Sequence, residues 1–179
     1  MDHADHVGLL RAGLAGVAAG ERWADIGAGS GAFTLALADL LGSGATVIAL
    51  DRDASVLAIN ARAMATRFPD VEFETRVADL ANPPDLGLLD GIVAANSLHF
   101  VPRDRQVEAV RRLAALDRPG GRFVVVEYDA DRGNPWVPHP FSFETWRQMA
   151  AEAGLRDTER IGRVPSRFLG AIYAAASRT

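Results

Sequence analysis

The run Trp23-Ala24-Asp25-Ile26-Gly27-Ala28-Gly29-Ser30-Gly31 constrains the fold more than any other stretch of the chain. A strand-like apolar segment turns through three glycines and passes straight into Ala32–Leu41, a run rich in alanine and leucine that favours helix. Such a turn presents backbone N–H groups and a helix N-terminus to a ligand with no Cβ atoms in the way. A second apolar run, Ala45–Leu50, ends on Asp51. A carboxylate at the tip of the neighbouring strand matches the two hydroxyl donors of a ribose. Together the two segments read as a nucleoside-binding half-domain.

The rest of the chain continues the alternation. Val7, Leu10, Leu14 and Val17 recur at helical spacing and predict a helix over Asp5–Ala19, weakened by Gly8, Gly13 and Gly16. Strands follow at Arg22–Ile26 and Thr46–Leu50, flanking the helix Phe33–Leu41. Asp53 suits the N-cap of a helix Ala54–Thr66, and Val71–Val77 alternates as a third strand ending at Asp79. The nearly all-apolar Leu88–Ala95 predicts a central strand that delivers Asn96-Ser97-Leu98-His99-Phe100 to its C-terminal end. A helix Arg103–Leu116, a turn at Pro119-Gly120-Gly121 and a valine-rich strand Arg122–Glu127 come next. The proline-containing loop Tyr128–Phe141 precedes a helix Phe143–Glu152. Two final strands, Leu155–Gly162 and Phe168–Ala175, are joined by a link too short for a crossover, so they must pair antiparallel.

Composition narrows the chemistry. All 19 basic residues are arginine, which excludes a P-loop lysine and a lysine Schiff base. The absence of cysteine excludes disulfides, iron–sulfur ligation and thiolate catalysis. At 179 residues and 49% hydrophobic content, one well-packed domain is expected, with residues 1–20 as a helical preface and residues 21–179 as the domain proper. A formal charge of −4 argues against broad nucleic-acid binding, although Arg147–Arg178 holds six arginines against three acids. No signal-like or bilayer-length apolar segment is visible, so a cytoplasmic protein without membrane contact is expected. His3 and His6 with Asp2 and Asp5 imitate a metal site, but at a chain end they read as surface, and no metal is expected.

A dinucleotide fingerprint places its third glycine where this chain has Ala32, and a nicotinamide fold spends its second half on another mononucleotide unit rather than an antiparallel pair. From about Glu21 onward the sequence resembles the class I S-adenosylmethionine-dependent methyltransferases. The likeness rests on Asp25, Gly27, Gly29 and Gly31 in the first motif, Asp51 after strand two, Asp79 after strand three, the Asn96–Phe100 exit of strand four and the closing antiparallel pair. The resemblance implies a single α/β, Rossmann-like, doubly wound seven-stranded sheet of order 3-2-1-4-5-7-6 with strand seven antiparallel. It implies S-adenosyl-L-methionine as cofactor, held by Asp25, Gly27, Ala28, Gly29, Gly31, Asp51, Arg52, Asp79, Leu80 and Asn96. Asp51 would bind the ribose, Asp79 the adenine amine with Leu80 beside the ring, and Asp25 the glycine turn and the methionine ammonium. Asn96-Ser97-Leu98-His99 departs from the Asn-Pro-Pro-aromatic signature of adenine and glutamine methylation, which disfavours those acceptors.

His99 is the candidate catalytic residue, because imidazole can take a proton near neutrality; a shape-setting histidine is the competing reading. Glu127, Tyr128 and His139 are further candidates to line an acceptor pocket. Trp136, Phe141, Phe143 and Trp146 read either as an aromatic pocket or as a seal over the sheet. The leading expectation is methyl transfer to an O, N or C nucleophile of a small molecule, by a monomer or homodimer. An RNA or protein methyltransferase, or a cofactor-binding protein without transfer activity, is the alternative.

Overall fold

A computed structural model describes residues 1–179. The uninterrupted apolar runs become the central strands of one sheet: β1 (Arg22–Ile26), β2 (Thr46–Asp51), β4 (Leu89–Ala95) and β5 (Asp117–Tyr128). The more polar β3 (Glu72–Val77) and β6 (Arg156–Ser166) take the two edges, and β7 (Gly170–Arg178) lies between β5 and β6. The order is β3-β2-β1-β4-β5-β7-β6. The first five strands in this order are parallel, and β7 runs antiparallel to both neighbours. The fold is therefore the doubly wound seven-stranded α/β sheet expected from the sequence.

Helices α1 (His3–Arg11), α2 (Ala32–Leu41), α3 (Ala54–Arg67), α4 (Gln106–Ala114) and α5 (Phe143–Glu152) cover the two faces. Alternation along each strand divides the core. Trp23, Val47, Val93 and Val124 meet Leu10, Phe33, Leu37 and Met64 of α1, α2 and α3. Ile26, Ile48, Ile92 and Val125 meet Val110, Leu113, Trp146 and Ala150 of α4 and α5. With both faces covered, the free ground for a ligand is the end where the parallel strands finish. No helix is long and apolar enough to cross a membrane.

Several boundaries differ from the sequence expectation. Helix α1 starts at His3 because Asp2 and Asp5 form a capping box, and it stops at Arg11 instead of reaching Ala19. The chain there closes onto the sheet: a Cβ on Gly13 would sit 2.9 Å from both Ile161 Cδ1 and Val124 Cγ2. Helix α4 begins only at Gln106, since Pro102 and two short 3₁₀ turns, Leu98–Phe100 and Arg103–Arg105, intervene. The Pro119-Gly120 turn lies inside β5 as a bulge between the Leu89–Asp117 and Gly91–Arg122 pairs. The last hairpin is longer and tighter than expected. Ser166 pairs with Gly170, Pro165 is tolerated on the edge strand, and Phe168 sits exposed in the turn.

One buried carboxyl has no hydrogen-bond compensation. Asp117 is 6% exposed, and neither of its carboxylate oxygens has a hydrogen-bond partner. Burial, with a smaller push from nearby Asp90, raises its carboxyl from the ordinary 3.8 to about 8. Asp90 itself is paired to Arg118 at 2.8 Å.

Candidate functional site

The glycine turn after β1 is pinned to the end of β2, since the N–H groups of Gly27 and Ala28 both donate to the Leu50 carbonyl, at 2.7 and 3.0 Å. Gly27, Gly29 and Gly31 all have positive φ. Two of them are dictated by protein contacts. A Cβ on Gly27 would lie 2.4 Å from Ser97 Cβ, and one on Gly31 would lie 2.3 Å from Asn60 Oδ1. Only Gly29 faces open space. Packing therefore also requires glycine at two of the three positions: Gly27 locks the turn against the exit of β4, and Gly31 locks the start of α2 against α3. Ala28 is buried with Ala49 and Leu57.

A cavity of about 420 Å³ opens at the carboxyl ends of the strands. Gly27, Gly29, Asp51, Arg52, Asp79, Leu80 and Asn96 line it; Asp25, Ala28, Gly31 and His99 do not. The Asp51 carboxylate is oriented by two backbone donors, Gly29 N at 2.9 Å on Oδ2 and Asp53 N at 3.0 Å on Oδ1. Each oxygen keeps a lone pair for a ligand hydroxyl. Asp79 Oδ1 accepts from Ala81 N at 2.9 Å, so the loop after β3 fixes this carboxylate at the cavity wall. Asn96 adopts a left-handed conformation, φ +50°, and its Oδ1 is buried without a partner. Asn96 lines the cavity, but this oxygen is sealed within the wall.

Asp25 sits beneath the turn rather than on the cavity. It is 1% exposed and accepts from Thr34 Oγ1 at 2.6 Å; Thr34 in turn accepts from Asn60 Nδ2 at 2.8 Å. Burial raises its carboxyl to about 7, against the pull of the Thr34 hydrogen bond, with Asp51 adding a further upward push.

His99 is also buried. Its Nδ1 lies 2.9 and 3.0 Å from the two oxygens of Glu127, which is itself fully buried at the end of β5. Phe100 packs on the imidazole at 4.3 Å between centroids, and Tyr128 meets it edge-on at 5.8 Å. His139 reaches this region through its backbone, donating to the His99 carbonyl at 3.1 Å. The aromatic residues of the neighbouring loop and helix separate. Phe141 and Trp146 stack in the core, Phe143 meets Tyr173 edge-on, and Trp136 is 76% exposed. At the chain start, His3 pairs with Asp39 and His6 packs on Phe33.

The cavity also uses residues the sequence reading missed: Val56 from α3, Asn82, and Val101, Pro102 and Arg105 beyond the expected exit residue Phe100. Pro102 was the available signal, because it forbids the continuous helix that would have carried these side chains elsewhere.

Residues 24–121, more than half of the chain, match the model of the methyltransferase domain family. The chain belongs to this family. No curated protein sequence matches this methyltransferase domain. Among solved structures it is similar to the N-methyltransferase NodS from Bradyrhizobium japonicum WM9 in complex with S-adenosyl-L-homocysteine, with TM-score 0.74 and 20% identity over 98% of this chain and 86% of that one. It is also similar to magnesium protoporphyrin IX methyltransferase from Synechocystis PCC 6803 with bound S-adenosylmethionine, with TM-score 0.75 and 20% identity over 99% and 78% of the two chains. A third likeness is to 1,6-didemethyltoxoflavin-N1-methyltransferase from Burkholderia thailandensis, with TM-score 0.74 and 21% identity over 99% and 78%. Against three other structures the domain spans 66%, 50% and 57% of their length.

Proposed function

We propose that this chain binds S-adenosyl-L-methionine across the tips of β1, β2 and β3 and transfers its methyl group to an oxygen, nitrogen or carbon nucleophile of a small molecule. The observation that carries this reading is one cavity wall holding three complementary groups. These are a pre-oriented Asp51 carboxylate for a ribose diol, Asp79 for an exocyclic amine, and Asn96 at the exit of β4 for the amino-acid end. The open face of Gly29 admits the ligand between them, with Arg52 and Leu80 beside the purine. Asp25 acts from below, where its carboxyl holds the turn through Thr34.

When bound, the cofactor supplies an electrophilic methyl on a sulfonium, with a neutral thioether as leaving group. The chain has only to align a nucleophile with it and exclude bulk water, so positioning accounts for most of the rate. Asn96 fixes the amino-acid end, and the Phe100–Pro102 turn walls the cavity next to it. His99 lies off the cavity wall, packed against Phe100, and is the proposed acceptor of a proton from a nucleophile that reaches Nε2 past that ring.

A small acceptor is favoured over RNA or protein by the use made of the C-terminal arginines. Arg147 and Arg163 pair with Glu144 and Asp129, and Arg156 and Arg178 bind carbonyls. Arg160 and Arg167 lie over Phe143 and Phe168. Intramolecular engagement of all six argues against a continuous phosphate-binding patch. Three of the similar structures are named for N-methyl, protoporphyrin and toxoflavin chemistry, which supports the same class.

Calorimetry with S-adenosylmethionine and S-adenosylhomocysteine tests the cofactor reading, and Asp51→Ala should weaken both by at least about tenfold. Methyl transfer from labelled cofactor to a panel of phenols, amines and nitrogen heterocycles then tests the acceptor class. With an acceptor in hand, His99→Gln should slow turnover on the order of 10²-fold. Absence of affinity for either cofactor form overturns the proposal, and an unchanged rate for His99→Gln removes His99 from the chemistry.

A further inference from the structure

Glu127 is a carboxylate with no exposure at the end of β5, and no arginine pairs with it. A buried carboxylate without a permanent cation is costly unless its neighbours are hydrogen-bond donors arranged for it. Two are present. Tyr128 N donates to Oε1 at 2.8 Å, and His99 Nδ1 lies within hydrogen-bond distance of both oxygens. The other groups facing the pair are the Tyr128 ring, edge-on to the imidazole, and Tyr173, the cross-strand partner of Glu127, whose hydroxyl is buried and unpaired. None supplies a cation.

With the carboxylate as acceptor, Nδ1 must carry the proton, and the lone pair of the neutral ring is then on Nε2. Nε2 has no protein partner, and it is not among the side-chain atoms sealed from solvent. We propose that Glu127 is a positioning residue that holds His99 in the Nδ1–H tautomer, so that Nε2 is free to accept the proton of a methyl acceptor bearing a dissociable O–H or N–H. This rests on the reading of His99 as proton acceptor. As the bond from the acceptor atom to the methyl carbon forms and the carbon–sulfur bond breaks, the acceptor's proton passes to Nε2. The resulting imidazolium is neutralised by Glu127, and the proton then leaves to solvent. An acceptor without a proton to lose gains nothing from such a pair.

The test is ¹⁵N–¹H spectroscopy of histidine-labelled protein saturated with S-adenosylhomocysteine, with the His99 signals assigned among the four histidines by comparison with His99→Gln. The wild type should show a protonated Nδ1 and a pyridine-like Nε2. In Glu127→Leu no acceptor faces Nδ1, so the preference for the Nδ1–H form is lost and the proton moves to Nε2. The pyridine-like Nε2 signal should be lost while affinity for S-adenosylhomocysteine is kept. A wild type with the proton on Nε2, or a variant whose His99 spectrum is unchanged, overturns the proposal. The wild-type spectrum alone decides if the variant does not fold. Survival of methyl transfer in His99→Gln would instead overturn the proton-acceptor reading and leave the tautomer result standing, so the two failures are distinguishable.

Discussion

Asp117→Asn replaces a buried, unpartnered carboxyl by a neutral group of the same shape, and its effect on stability should depend on pH. The Asp117 carboxyl is raised from 3.8 to about 8, chiefly by burial. Between those values the folded chain keeps a proton that the unfolded chain has lost. The group's contribution is therefore complete below the unfolded value and fades as pH rises through the folded one. Each unit is worth about 1.4 kcal/mol, so from about pH 5 to about pH 7 the wild type loses about 2–3 kcal/mol through this residue. The asparagine variant has nothing to titrate and loses none of it. Any fixed cost of leaving its amide unpaired displaces the whole curve without changing its slope. For a chain of this size 1 kcal/mol shifts Tm by about 2–4 °C, so the Tm gap in favour of the variant should widen by roughly 5–10 °C over that range. Asp25, also raised, is present in both proteins and cancels. Thermal unfolding followed by circular dichroism across the range measures the gap. A gap independent of pH, or one that narrows as pH rises, refutes the reasoning.

Gly27→Ala places a Cβ 2.4 Å from Ser97 Cβ at a positive φ, so it should destabilise the chain by about 1–3 kcal/mol and abolish affinity for S-adenosylhomocysteine in calorimetry. Gly91→Ala drives a methyl to within 2.6 Å of the Trp23 ring and should cost a similar amount, about 1–3 kcal/mol by denaturant titration, with cofactor affinity largely retained in the folded fraction. Thr34→Val removes the hydroxyl shared by Asp25 and Asn60; leaving both partners buried and unpaired should cost about 1–3 kcal/mol, measured by the same titration.

Strand identity was legible because both faces of the central sheet are covered. That leaves β1, β2 and β4 as unbroken apolar runs, which no surface element resembles. Asp51 was legible for the same reason, as the carboxylate that ends such a run, and Asp79 as the first carboxylate after the alternating third strand. Asn96 was found by position, but its left-handed backbone and orphaned oxygen belong to the folded turn. What stayed hidden depends on contacts remote in sequence. The roles of Gly27 and Gly31 are set by Ser97 and Asn60, each far along the chain. The pairing of His99 with Glu127 spans 28 residues and arises only because β4 and β5 end side by side. Helix α1 was overextended because its apolar spacing continues past Arg11, while the sheet leaves no room for a side chain at position 13.

The seating of Gly27 on Ser97 makes the donor and acceptor halves one mechanical block. Ser97 also donates to the Ile26 carbonyl at 2.7 Å, and His99 follows two residues later. The nucleotide-side turn and the imidazole thus share a common datum, so a displacement of one carries the other with it.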